Sequence, residues 1–158
     1  MMTLMFSQAA ALAGGVMLAS SPAQAWEESS TPGNACQPLV SSYADKVAHG
    51  LNGRFMNTST TDGVIASCPI QRELPDSSGQ IWVGVFVHNP AGHTTTCTLV
   101  ASDIGGGTMD SEAKTVSGTG WQEMYFSGVT SNTEWGTYSM WCVVPPGGIL
   151  NGYGIHEY

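Results

Sequence analysis

The chain has 158 residues, with four Lys and Arg against twelve Asp and Glu and a net charge of −8. So few cations cannot build the surface that neutralises a run of phosphates, so nucleic acid is strongly disfavoured as a partner and anionic membranes are disfavoured with it. No apolar stretch reaches the ~18–20 residues that a spanning helix needs, and no membrane span is expected.

The first 25 residues read as an export signal. Ala9 to Ala19 is a run of Ala, Leu, Gly, Val and Met, followed by Ser20-Ser21-Pro22 and then Ala23-Gln24-Ala25. That is an h-region, a helix breaker and an A-x-A cleavage site in order. The stretch before the run carries no Lys or Arg, which departs from the usual basic n-region. Cleavage near Ala25 makes the protein secreted or periplasmic, and the remaining ~130 residues suit one hydrophobic core. The expected organisation is a signal over 1–25, a flexible lead over 26–35 and a single domain over 36–158. The lead, beginning Trp26-Glu27-Glu28-Ser29-Ser30-Thr31-Pro32-Gly33, is acidic and turn-forming.

Order is expected to begin near Cys36. Between Cys36 and Asn57 the pattern is irregular, broken by Pro38, Gly50 and Gly53, with room for a short helical turn or a strand over Val40 to Ala48. From residue 63 onward the period shortens to two, the mark of strands with one packed face. Gly63 to Ile70 is a strand ended by Pro69. Ile81, Val83, Val85 and Val87 then alternate with Trp82 and Phe86, which predicts a central strand covered on both sides. A turn at Asn89-Pro90-Ala91-Gly92 leads to Thr94–Ala101, where Cys97, Leu99 and Ala101 share a face. Weaker strands follow at Ser111–Ser117 and Trp121–Ser127. Thr137–Val144 places Tyr138, Met140, Cys142 and Val144 on one face and Trp141 on the other. Pro145-Pro146-Gly147-Gly148 ends it, and Ile149–Tyr158 forms the last strand. Seven or eight strands without a long helix predict an all-β antiparallel sandwich, jelly-roll-like or immunoglobulin-like.

The four cysteines, Cys36, Cys68, Cys97 and Cys142, are an even set, which in an exported protein reads as two disulfides. Counting allows three connectivities. Cys36–Cys68 with Cys97–Cys142 is favoured, because the first ties the loop-rich amino-terminal third to the sheet and the second cross-links two strong strands. The rival, a zinc site, lacks any C-x-x-C or H-x-x-x-H spacing.

The series Cys68-Pro69-Ile70-Gln71-Arg72, the alternating valine strand, Thr96-Cys97-Thr98-Leu99 and Tyr138-Ser139-Met140-Trp141-Cys142 with its Pro-Pro turn resembles a group of small exported bacterial proteins of unknown function. The resemblance spans about residues 36 to 158 and implies a secreted, disulfide-bonded β-sandwich with no transferred activity. The terminal strand, with Ile149, Tyr153, Ile155 and Glu157 in alternation, also resembles carbohydrate-binding jelly rolls.

Candidate chemistry is sparse. His88 and His93 flank a tight turn and, with His49 or His156, form a weak metal candidate that lacks a nearby carboxylate partner. Asp103 and Asp110 bracket a triple glycine and offer a structural calcium, although the spacing is not that of an EF-hand loop. No cofactor is otherwise expected. No G-x-S-x-G or H-E-x-x-H occurs, and no cysteine remains free once both disulfides form. Glu73 with Asp76, and Glu123 with Glu134, leave a carboxylate-dependent hydrolase formally open, but a non-catalytic protein is favoured. The aromatics are the better lead: Trp135, in a turn, with Tyr153 and Trp141, are the binding candidates, because an exposed ring stacks on a sugar face or anchors a protein contact. The expected function is a binding module for a glycan or protein partner. The alternative is a self-assembling structural subunit that adds edge strands.

Overall fold

The computed structural model describes residues 27–71, 81–131 and 136–157, with the side chains of 27, 28 and 157 left aside. These residues form eleven strands in two antiparallel sheets packed face to face. The first sheet contains β3 (Val47–Gly50), β4 (Arg54–Asn57), β11 (Ile149–Glu157), β6 (Ile81–Asn89) and β9 (Gly120–Phe126) in that spatial order, with β1 (Glu27–Pro32) added against β11. The second runs β2 (Gln37–Pro38), β5 (Val64–Ile70), β10 (Thr137–Val144), β7 (Thr94–Ser102) and β8 (Thr108–Ser117).

The alternating sequence pattern explains the core. In β6, Ile81, Val83, Val85 and Val87 are buried, and in β10 so are Tyr138, Met140, Cys142 and Val144. Phe55, Leu99, Phe126 and Leu150 fill the space between the sheets. Both disulfides lie in this layer. Cys97 faces Cys142 directly across β7 and β10, with Cα atoms 4.0 Å apart. Gln37 faces Ser67, so Cys36 stands opposite Cys68, and that Cα separation is 4.1 Å. Asn57, also buried, offers its Nδ2 to the carbonyls of Asp62, Val144 and Pro145 at 2.8–3.0 Å and accepts from the Ser59 amide. It thereby ties β4 of one sheet to the end of β10 in the other.

Two expectations are corrected. The stretch expected as a flexible lead is ordered from Glu27: β1 pairs with β11 from Glu27↔Glu157 to Pro32↔Gly152, beyond the point where β4 leaves β11. With the short strands β2, β3 and β4, this raises the count from seven or eight to eleven, because such short elements carry too few residues for a readable period. The strand expected over Gly63 to Ile70 is β5, which runs through Pro69 to Ile70. Its edge-side partner β2 pairs only with Ser67 and Ala66, so the missing proline N–H disrupts no ladder. Finally, β6 is central in its sheet, between β11 and β9, but among the described residues only one of its faces is covered. The expected signal over 1–25 lies outside the described residues. Among the described residues, no helix is long and apolar enough to cross a membrane.

Candidate functional site

The uncovered face of β6 and its neighbours is where side chains with recognition chemistry gather. Along β6, Trp82 and Phe86 point outward and are 42% and 44% exposed; on β9, Trp121 and Tyr125 are 52% and 56% exposed. The register places Tyr125 opposite Gly84, Glu123 opposite Phe86 and Trp121 opposite His88. The rings therefore form one stripe along two paired strands, about 20 Å long at ~3.3 Å per residue. Gly84 makes room for it: a Cβ there would lie 3.3 Å from Cε1 of Tyr125, so the Tyr125 ring lies over bare backbone between Trp82 and Phe86.

Polar groups stand beside the rings. The pairing of β11 with β6 shifts by one residue between Leu150 and Gly152, leaving Asn151 as the extra residue of a bulge. Bulges re-aim side chains, and the Oδ1 of Asn151 accepts a hydrogen bond from Nε of Arg54 at 2.9 Å. The Arg54 guanidinium also lies 5.1 Å from the centroid of the Trp121 ring, within cation–π range. His88 packs edge-on against the same indole at 5.1 Å, and its buried Nδ1 makes no hydrogen bond to the described residues. The Glu123 carboxylate beside it on the same face, ahead of desolvation, pushes the Tyr125 phenol above its ordinary range. Trp121 is thus held from two sides while half its surface stays open to solvent.

These groups border a groove. Its first compartment, about 430 Å³, is lined by Arg54, Phe86, Trp121, Gln122, Glu123 and Asn151. A second of about 410 Å³ shares Phe86 and Asn151 with it and extends over Gly152 and Gly154 toward Ser30, Thr31 and Asn52. Both volumes fall in the ~300–1,000 Å³ range of small-molecule sites. The groove carries a described acceptor, Glu123, and a described cation, Arg54, as well as amides and hydroxyls.

The residues singled out from the sequence are dispersed. Trp135 lies outside the described residues, as do Glu73, Asp76 and Glu134. Tyr153 borders the second compartment, but it is 2% exposed, its ring belongs to the core, and its hydroxyl donates to the carbonyl of Pro69 in the opposite sheet. Its position opposite Val85 sets this, since the bulge at Asn151 turns Tyr153 and Ile155 inward. Trp141 is 37% exposed, but on the outer face of the other sheet, between Ser67 and Thr98 and away from the stripe. Asp103 accepts the Gly107 amide at 2.7 Å within its own loop. Asp110 accepts the amides of Ser111 and Thr130. His93 closes the β6–β7 turn through its amide, and His88 belongs to the aromatic stripe. No three His, Cys, Asp or Glu side chains gather as a metal cluster among the described residues. The sequence reading counts Trp82, Trp121 and Tyr125 among the aromatics in excess of the core; the residues that it misses are Arg54, Asn151 and Phe86. The available signal was the aromatic spacing itself: Trp82 and Phe86, like Trp121 and Tyr125, stand four apart, which in a strand is a shared face.

No protein-family model matches the chain, and no curated protein matches it. Solved structures do. The enzymatically active domain of tailspike protein 4 from bacteriophage CBA120 is 16% identical, with a TM-score of 0.45 over 83% of this chain. This chain spans only 18% of that one. The C-terminal CBM6 of LamC, a laminarinase from the marine Zobellia galactanivorans, is 17% identical with a TM-score of 0.48, covering 82% of this chain and 98% of its own. An exo-β-1,3-galactanase from Phanerochaete chrysosporium is 14% identical with a TM-score of 0.47, covering 84% and 29%. These are partial likenesses of strand arrangement, and what those proteins bind or cleave is a property of those proteins.

Proposed function

We propose that this protein is a glycan-binding module that works outside the cytoplasm and without catalysis. The observation that carries the reading is the set of four exposed rings, Trp82, Phe86, Trp121 and Tyr125, on one face beside a groove edged by Arg54, Gln122, Glu123 and Asn151. A sugar ring has an apolar face of C–H groups and a rim of hydroxyls. The first is matched by a fixed aromatic ring, the second by paired donors and acceptors. Hydrolysis of a glycosidic bond uses two carboxylates across the scissile bond, whereas the described lining of the groove has one, Glu123. Two core disulfides favour an oxidising compartment.

A glycan microarray probed with the oxidised protein and with the Trp82→Ala/Trp121→Ala variant tests the proposal. Wild type should bind a related subset of glycans and the variant should lose that signal. Absence of wild-type binding to every glycan, with the protein shown to be folded, would refute it.

A further inference from the structure

We infer that the groove takes an internal stretch of an uncharged linear polysaccharide, laid across the strands through two consecutive compartments that meet at Phe86 and Asn151. This rests on the glycan reading above and extends it from a face to a path and a ligand class.

The two compartments share Phe86 and Asn151, so they are neighbouring parts of one channel. The path begins at Gln122 and Glu123 on β9, crosses Phe86 on β6 and Asn151 and Gly152 on β11, and reaches Ser30 and Thr31 on β1. Three strand spacings separate β9 from β1, about 14 Å in all, more than one sugar ring covers. Among the described residues, β9 is the last strand on its side of the sheet, and β1 pairs with β11 alone. The path therefore runs from one sheet edge to the other, and a polymer can leave at both ends.

The compartments differ in chemistry. The first holds the Trp121 ring and the charged pair of Arg54 and Glu123. The second has a floor of backbone at Gly152 and Gly154 and a rim of hydroxyl and amide groups, suited to holding a sugar by its edge. Gly152 is required there by space, since a Cβ would meet the Thr31 carbonyl oxygen at 2.9 Å. Gly154 is not, since its nearest neighbour would be the Ser29 carbonyl at 3.7 Å, an ordinary contact. A side chain at Gly154 is thus compatible with the backbone yet stands in the second compartment. One described cation and one described carboxylate leave the channel without net charge, and the overall charge of −8 opposes a polyanion.

Calorimetric titration with linear β-1,4-gluco-, β-1,3-gluco- and β-1,4-manno-oligosaccharides of one to six units tests this, with oligogalacturonate as the charged counterpart. In the series that binds, affinity should rise by about tenfold or more between two and four units. Reduction of the terminal unit of the hexamer to its alditol should leave affinity unchanged. Gly154→Leu should keep the affinity for the disaccharide and lose the gain on lengthening. Asn52→Ala, on an exposed turn, should reduce the same gain and serves if the leucine variant melts early. A monosaccharide binding as tightly as the tetramer, loss of binding on end reduction, or preference for oligogalacturonate would overturn the proposal while leaving a glycan site standing. So would an undiminished length gain in a folded Gly154→Leu protein. Failure of every oligosaccharide to bind folded wild type would overturn the glycan reading itself, and this inference with it.

Discussion

Reducing the two disulfides should remove a large part of the stability of this domain. The cystines close loops of 32 and 45 residues. The loops run from Cys36 to Cys68 and from Cys97 to Cys142, without overlap, so each restricts a separate part of the unfolded chain. The chain-entropy argument gives about 4 kcal/mol for each. Against a typical domain stability of about 5–15 kcal/mol, losing both reaches the lower half of the range. Little else replaces them: the described ion pairs are Lys46–Asp62 and Lys114–Glu112, both at the surface, where such pairs contribute little. Thermal unfolding of oxidised protein, and of protein shown to carry four titratable thiols, measures the effect. Loss of one bridge should lower the melting temperature by about 10–15 °C and loss of both should leave a marginal fold. A fully reduced protein with an unchanged midpoint would refute the reasoning.

Other substitutions probe the ties between the sheets. Asn57→Ala removes the donor to two buried carbonyls, those of Val144 and Pro145, and to the part-buried carbonyl of Asp62, and should cost about 2–3 kcal/mol by urea titration; a loss within error would show that water or backbone movement satisfies them. Tyr153→Phe removes the hydrogen bond to Pro69 across the core and should cost about 1 kcal/mol, with a neutral result meaning that the bond has no net value. Burial pushes the Tyr153 phenol up, opposed in smaller part by the neighbouring Thr31 hydroxyl. The folded chain therefore keeps this proton longer than the unfolded chain: the stabilisation is complete below about pH 10 and falls as pH rises beyond it. Urea midpoints taken from pH 8 upward should decline with alkalinity, less steeply in Tyr153→Phe. The decline should not vanish, because Tyr125 is shifted in the same direction. Equal slopes in the two proteins would contradict the assignment.

Much of the sandwich was legible because its long strands alternate. Ile81 to Val87, Thr94 to Ala101 and Thr137 to Val144 each have apolar residues at every second position, and each buries that set. What alternation does not carry is which faces meet a second layer. Trp82 and Phe86 share an apolar strand with the valines, and only the two-sheet topology shows that their side is open. The bulge is similarly hidden: nothing in Leu150-Asn151-Gly152-Tyr153 marks the extra residue, yet it directs Asn151 to Arg54 and Tyr153 into the core. Arg54 sits in a four-residue strand too short for a period, and its meeting with Trp121 joins positions far apart in the chain. The short β1 was masked by its Ser-rich, turn-like composition, since pairing with β11 comes from a partner more than a hundred residues away.

The central claim is that the outer face of β6, β9 and β11 is the ligand surface. Titrating a bound oligosaccharide into isotopically labelled protein, while following the indole N–H signals by NMR, tests it most directly, because the tryptophans sample different faces. The Trp121 signal should move most, Trp82, at the far end of the stripe and outside both compartments, should move less, and Trp141, on the opposite sheet, should stay fixed. Movement of Trp141 with Trp121 unchanged would place the site on the other sheet and contradict the account.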